Sequence, residues 1–183
     1  EGADGLILVC AGAGGHAGTL SPFALVREVR EFFDGPIALS GSISEGSSVL
    51  SALALGADFA YVGTKFIATE EANASPGYKQ MIIDSTADDI MYSATFTGVN
   101  GNYLRPSVEA AGLNPEEHTS GSKDDMNFST SAIAKKDNSS KAWKDIWGSG
   151  QGIGTIKDAP SVQTAVDQMV SEYEEAKSRL DNF

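Results

Sequence analysis

Leu6-Ile7-Leu8-Val9-Cys10-Ala11-Gly12-Ala13-Gly14-Gly15-His16-Ala17-Gly18 is the stretch on which the reading of this chain turns. Five consecutive apolar residues read as a short buried strand. The glycine-rich segment directly after them is a turn that can bend sharply and approach a ligand closely. It carries His16, one of two histidines in the chain. Imidazole is the side chain suited to take and return a proton near neutrality. On this motif alone two readings stand open: a site built around His16, or a tight turn that merely contains a histidine.

The same unit recurs downstream. Ser21-Pro22 supplies an N-cap and a proline tolerated in a first turn. Phe23, Leu25, Val26, Val29, Phe32 and Phe33 then follow near the helical period, and Asp34-Gly35 ends the helix. Pro36–Ser40 reads as a second strand. Gly41-Ser42-Ile43-Ser44 turns into a second helix with Val49, Leu50, Leu53 and Leu55 inward and Gly56 as its stop. Phe59–Val62 is the third strand, followed by Gly63-Thr64. Gly2-Ala3-Asp4-Gly5 and Gly56-Ala57-Asp58 precede the first and third strands alike. Apolar strands joined by helices, read as buried on both faces, imply a parallel sheet. An open doubly wound sheet and a (β/α)8 barrel both satisfy that pattern. Three strands cannot close a barrel, so the barrel reading requires strands ahead of Glu1. Glu1 is not a methionine and Glu1–Gly5 reads as a helix-to-strand loop, so a fragment without its N-terminal part is expected.

Residues 70–150 change character, beginning with Glu70-Glu71 and rich in Asn, Ser and Gly. Within them Tyr78–Asp84 predicts a short helix, Tyr92–Thr97 an extended piece and Lys123–Ser140 a polar loop. Trp143 and Trp147 fall four apart, as neighbours on one helix face and as packing anchors. The region reads as an insertion covering a site. Ser161–Leu180 predicts an amphipathic outer helix with Val162, Val166, Met169, Val170 and Tyr173 on one side.

The composition narrows the classes. With 183 residues, 41% hydrophobic and 21% charged, the chain can build one globular core. A net charge of −12 argues against nucleic-acid or anionic-membrane partners, while leaving room for a local anion site. Cys10 is the single cysteine, so no internal disulfide forms, which fits a reducing, cytoplasmic setting. Its apolar surroundings read as a buried small residue rather than a nucleophile. No apolar run approaches the roughly 20 residues of a membrane helix. The N-x-Ser matches at Asn73, Asn127 and Asn138 read as chance.

Loops 11–18, 41–44 and 63–64 all follow strands, the end at which parallel α/β folds bind ligands. That placement favours a site at His16. Gly41-Ser42 and Gly63-Thr64 each offer backbone N–H groups and a hydroxyl beside a helix start, a combination that binds phosphate. Either turn could simply be tight, but the pair in register favours phosphate. Lys65 adds charge nearby unless it is a solvated residue. His118 reads as a surface histidine and Arg105 as a solvated loop arginine rather than an anion contact. No metal-ligand spacing and no nucleophile elbow are present. Gly148–Gly154 is not a dinucleotide fingerprint.

Taken in order, Ala13-Gly14-Gly15-His16-Ala17-Gly18, Pro36-Ile37-Ala38-Leu39-Ser40-Gly41-Ser42-Ile43, Ala52-Leu53-Ala54-Leu55-Gly56-Ala57-Asp58 and Val62-Gly63-Thr64-Lys65-Phe66 resemble the nitronate monooxygenases, formerly 2-nitropropane dioxygenases. Pro76–Gln80, Phe96-Thr97-Gly98, Leu104–Ser107 and Gly150–Gly154 extend the resemblance. It implies an α/β protein forming the C-terminal part of an FMN-dependent (β/α)8 TIM barrel with an inserted lid-like domain. Residues 1–69 would be barrel units with flavin-site loops, 70–150 the lid, and 151–183 a closing loop and last barrel helix. Carried over by position, His16 is the base, and FMN contacts fall at Gly14, Gly15, Gly41, Ser42, Tyr61, Val62, Gly63 and Thr64. Gly41-Ser42 stands where the family usually has Gly-Gly. Val9, Gly12 and Tyr61 replace a common Gln, Glu and Gln, departures that bear on substrate identity. The implied reaction takes a small nitronate or nitroalkane and O2 to a carbonyl compound and nitrite. Two rivals remain: an FMN-dependent enoyl-ACP reductase using NAD(P)H, and a fragment that only binds a phosphate ligand or is inactive.

Overall fold

The computed structural model describes residues 2–118 and 145–181. The expectations for 123–140, Trp143, Asn127 and Asn138 lie outside them. The chain runs β1 (Leu6–Val9), β2 (Gly15–His16), α1 (Pro22–Arg30), β3 (Ile37–Ser40), α2 (Gly46–Leu55), β4 (Phe59–Tyr61), α3 (Thr64–Ile67), α4 (Pro76–Asp84), β5 (Ile90–Ser93), β6 (Gly101–Leu104) and α5 (Arg105–Ala110). A C-terminal helix spans Val162–Leu180.

The parallel sheet has β3 at its centre: Leu6 lies opposite Ile37 on one side, and Ala38 opposite Phe59 on the other. It is an open three-stranded sheet, part of a barrel rather than a closed one. Leu8, Cys10, Ile37 and Leu39 point to the helices and pack with Val26, Val29 and Ala52. The opposite face corrects the expectation of strands buried on both sides. Ile7 is 59% exposed, Phe59 60% and Tyr61 54%, because no described element packs over them.

Helix starts follow local chemistry. Ser21, Ser75 and Ser161 each accept a backbone N–H of the first turn, from Ala24, Tyr78 and Thr164. Gly56 ends α2 at φ 108°. The buried faces differ from the expected ones. Phe23 is exposed on α1 and Phe32 just beyond its end, and Leu53 is exposed on α2, where Ala52 is buried instead. On the C-terminal helix Ala165, Met169 and Ala176 are buried, whereas Val162, Val166 and Val170 are exposed. The reason is close contact. A Cβ on Gly46 would sit 2.0 Å from the Met169 carbonyl oxygen, and Gly46 N–H donates to Glu172 at 2.8 Å. Helices crossing this tightly bury small residues and turn bulky ones outward.

Residues 70–118 are more structured than their polar composition implies. Strands β2, β6 and β5 form a second, antiparallel sheet, with Gly15 opposite Asn102 and Met91 opposite Tyr103. Two further apolar clusters lie on its opposite faces, one around Ile82, Leu104 and Ile153, the other around Met91, Tyr103 and Ile146. The extended piece expected at Tyr92–Thr97 is displaced to Ile90–Ser93. Lys65 is buried rather than solvated, its Nζ donating to Gln168 at 3.3 Å. Arg105 opens α5 and pairs with Glu116 at 2.5 Å. His118 is half-buried, with its ring tilted against Phe96 at 5.7 Å.

At the strand-entry end, Arg30 ties the units together. Its guanidinium donates to Gly56 and Gly35 carbonyls at 2.8 and 2.7 Å and pairs with Asp58 at 2.6 Å. Asp58 also accepts the Ile37 N–H at 2.8 Å. That backbone bond, then Arg30, holds the Asp58 carboxyl below its ordinary range. A carboxylate with a depressed folded-state pKa stabilises above the unfolded value and loses that contribution as pH falls through the folded one. Asp58→Asn is therefore expected to lower the melting temperature at pH 7. The gap to wild type should close as pH falls through the lowered folded-state value, measured by thermal denaturation across pH.

Candidate active site

The loops that follow the three parallel strands meet a fourth, 148–152, over the strand ends. The Gly12 carbonyl accepts two backbone N–H groups, Ser42 at 3.2 Å and Gln151 at 2.9 Å. Gly150 N–H donates to Thr64 Oγ1 at 3.0 Å. Ser44 Oγ reaches the Gly152 carbonyl at 2.7 Å and Thr155 Oγ1 at 2.9 Å. Buried Asn102 donates its side-chain amide to the Ala13 carbonyl at 2.7 Å, fastening the second sheet to the same loop. Tyr78, stacked on Trp147 with ring centroids 4.9 Å apart, donates to the Gly148 carbonyl. Burial pushes the Tyr78 phenol up to about 12, so it remains a donor at neutral pH.

These loops enclose a cavity of about 300 Å³. Its glycines fall into two kinds. A Cβ on Gly41 would lie 2.3 Å from Cys10 Sγ, and one on Gly14 2.8 Å from Gly150 N, so both serve the close approach of protein to protein. A Cβ on Gly15 or Gly63 would meet nothing within 4 Å, although both line the cavity, so the space beside them is unfilled by the described residues. Ser42 holds a left-handed φ of 55°, uncommon outside glycine. Its hydroxyl packs over Gly12. Thr64 accepts from Gly150, which leaves its own proton to be donated. On loop 148–152 the buried Ser149 hydroxyl has no hydrogen-bond partner among the described residues.

Gly14, Gly15, Gly41, Ser42, Tyr61, Gly63 and Thr64 thus share one cavity. Val62 does not line it; its side chain packs into the apolar core under the sheet. His16 stands one residue along β2 from Gly15, in an adjoining pocket of about 270 Å³. Phe96, Thr97, Tyr103 and Ile146 wall that pocket, and Gly15 and Gly148 belong to both. His16 Nε2 lies 3.2 Å from Thr97 Oγ1. Sequence reasoning missed Thr97, Tyr103, Asn102 and Ser44 as site residues. Only the glycine density of 148–154 marked the fourth loop. Cys10 is buried, donates to the Ser40 carbonyl at 2.9 Å and has its thiol pushed up by desolvation, as suits a packing residue.

Among the described residues no His, Cys, Asp or Glu cluster could hold a metal, and no helix is long and apolar enough to cross a membrane. The family model of nitronate monooxygenase matches residues 1–172. A nitronate monooxygenase of Paraburkholderia phytofirmans is 30% identical over 123 residues, covering 62% of this chain and 34% of that protein. The nitroalkane oxidase structure from Streptomyces ansochromogenes superposes with a TM-score of 0.73 at 25% identity, over 98% of this chain and 54% of the other. FabK from Thermotoga maritima superposes at 0.78 and 24% identity, over 99% and 58% respectively, a likeness of fold. Both of these neighbours are TIM barrels. The chain spans about a third of its curated relative.

The two kinds of glycine make opposite predictions. Gly41→Ala, strained at φ 144° and pressed on Cys10, is expected to cost roughly 2–4 kcal/mol. Gly63→Ala, with open space and an ordinary φ of −115°, should stay within about 0.5 kcal/mol of wild type. Chemical denaturation of both variants checks the contrast.

Proposed function

The chain belongs to the nitronate monooxygenase family, and from that premise we propose that it is the C-terminal part of a (β/α)8 barrel that binds FMN and oxidises small alkyl nitronates or nitroalkanes with O2 to a carbonyl compound and nitrite. In this reading residues 1–69 carry the flavin loops, 70–150 cover the substrate, and 151–183 close the barrel. The observation that carries it is the pair of adjoining cavities, one cradled by glycine loops with room at Gly15 and Gly63, the other holding an imidazole.

The residues present fit a flavin phosphate bound without a cation. Gly41, Gly63 and Thr64 offer backbone N–H groups and Ser42 and Thr64 hydroxyls, Gly14 and Gly15 the floor, Tyr61 an exposed ring, and Val62 its backbone alone. Bound flavin would supply the electron chemistry that links oxidation of the nitronate to reduction of O2. His16 takes the α-proton of a neutral nitroalkane and holds it on the ring, leaving a nitronate; with a nitronate substrate it only orients. Phe96, Tyr103 and Ile146 give the pocket an apolar wall beside the exposed His16 ring.

Two outcomes test this. In the full-length protein a flavin absorption spectrum should bleach on anaerobic addition of propionate-3-nitronate and not with NADH. Bleaching with NADH alone would turn the reading to the enoyl reductase, and a protein that takes up no flavin would defeat both. His16→Ala is expected to keep its flavin and lose about 10²–10⁴-fold in turnover of neutral nitroalkanes, with a much smaller loss on nitronates. Equal losses on the two would remove His16 as base.

A further inference from the structure

The geometry points to Thr97 as the positioning residue of His16, holding its ring with the proton on Nε2 and the lone pair on Nδ1. This rests on the reading of His16 as the base.

The argument is a count of donors and acceptors. Thr97 Oγ1 owns one proton, and it donates that proton to the Val99 carbonyl at 2.9 Å. The same oxygen accepts the Val99 N–H at 3.3 Å and the Tyr103 hydroxyl at 3.3 Å. Burial raises the Tyr103 phenol, so it stays protonated and stays a donor. A hydroxyl oxygen has two lone pairs, so the two 3.3 Å donors share one of them and the other faces His16 Nε2, 3.2 Å away. Nε2 must then be the N–H side of the neutral ring, because an unprotonated Nε2 would set lone pair against lone pair. Nδ1, which has no hydrogen-bond partner among the described residues, becomes the proton acceptor.

The arrangement also suits the charged ring. An imidazolium carries protons on both nitrogens, so Nε2 donates to Thr97 before and after proton uptake. The ring need not rotate when Nδ1 takes the proton. The α-carbon loses its C–H bond, its electron pair stays on the nitronate, and the proton ends on Nδ1. Phe96, beside Thr97, packs edge-on against Tyr103 at 5.0 Å.

The test uses the full-length flavin-loaded protein labelled with ¹⁵N-histidine. Long-range ¹H–¹⁵N correlation at a pH where the ring is neutral is expected to show Nε2 as the proton-bearing nitrogen. A dominant Nδ1–H tautomer would overturn the assignment. Thr97→Val removes the hydroxyl at nearly constant volume. It should mix the tautomers and lower kcat/KM for neutral nitroethane by about 10²-fold, with little change on ethyl nitronate. Thr97→Ser restores both, and if Thr97→Val does not fold, the wild-type and Thr97→Ser spectra decide. Unchanged tautomer and rate in a folded Thr97→Val protein would overturn the role. An Nε2–H tautomer in a protein that turns over no nitro compound would leave the positioning intact and sink the functional reading instead.

Discussion

One backbone carbonyl, that of Gly12, organises the strand ends by accepting N–H groups from two other loops, at Ser42 and Gln151. Three stretches far apart in sequence are thereby held within hydrogen-bond reach of a single oxygen. Such an approach leaves no space for side chains. That is why a Cβ at Gly14 or Gly41 would strike protein, and why the Ser42 backbone takes a conformation that non-glycine residues rarely adopt. The cavity is what remains once these loops have packed as tightly as their backbones allow.

From that junction the two sheets acquire their relation. The parallel sheet delivers loops 10–15, 41–44 and 63–64 to its carboxyl end. The antiparallel sheet borrows Gly15 and His16 as its edge strand, so one turn belongs to both. Asn102 on the central strand of the second sheet bonds the Ala13 carbonyl of the first. A histidine in a free glycine turn would sample many orientations. Pairing His16 with Gly101 fixes its backbone, and Thr97 then meets the ring. The second sheet thereby sets where the imidazole stands.

The chemistry is divided in space accordingly. The glycine-lined cavity offers hydroxyls and backbone groups from Ser42, Thr64 and their neighbours, while the His16 pocket is walled by aromatic and aliphatic side chains. Gly15 and Gly148 line both, and a Cβ on Gly148 would sit 3.1 Å from Gly15 N, so its missing side chain lets the two backbones meet. Far from both, Arg30 and Asp58 secure the opposite end of the strands with bonds to carbonyls and a strand N–H. The Arg30–Asp58 pair and the glycine-lined cavity thus occupy opposite ends of the parallel sheet.

Much was legible in the order of residues, because it depends on near neighbours. Serine caps before α1, α4 and the C-terminal helix, the glycine stop of α2, three strands and the glycine turn at His16 all follow from local hydrogen bonding and hydrophobic period. The loops of the cavity were legible for the same reason, since parallel strands place their following turns on one side. What needed the tertiary structure was everything set by contacts across long stretches of chain. Helix faces were misjudged where Gly46, Ala165 and Ala176 bury while Val166 and Val170 stay out, because a tight backbone crossing selects small residues over hydrophobic ones. Strand β2 is two residues long and pairs some 85 positions away, so no period could reveal it. The partners of His16 were invisible for that reason: Thr97 and Tyr103 reach it only through the second sheet, whose pairing is decided by packing between distant segments.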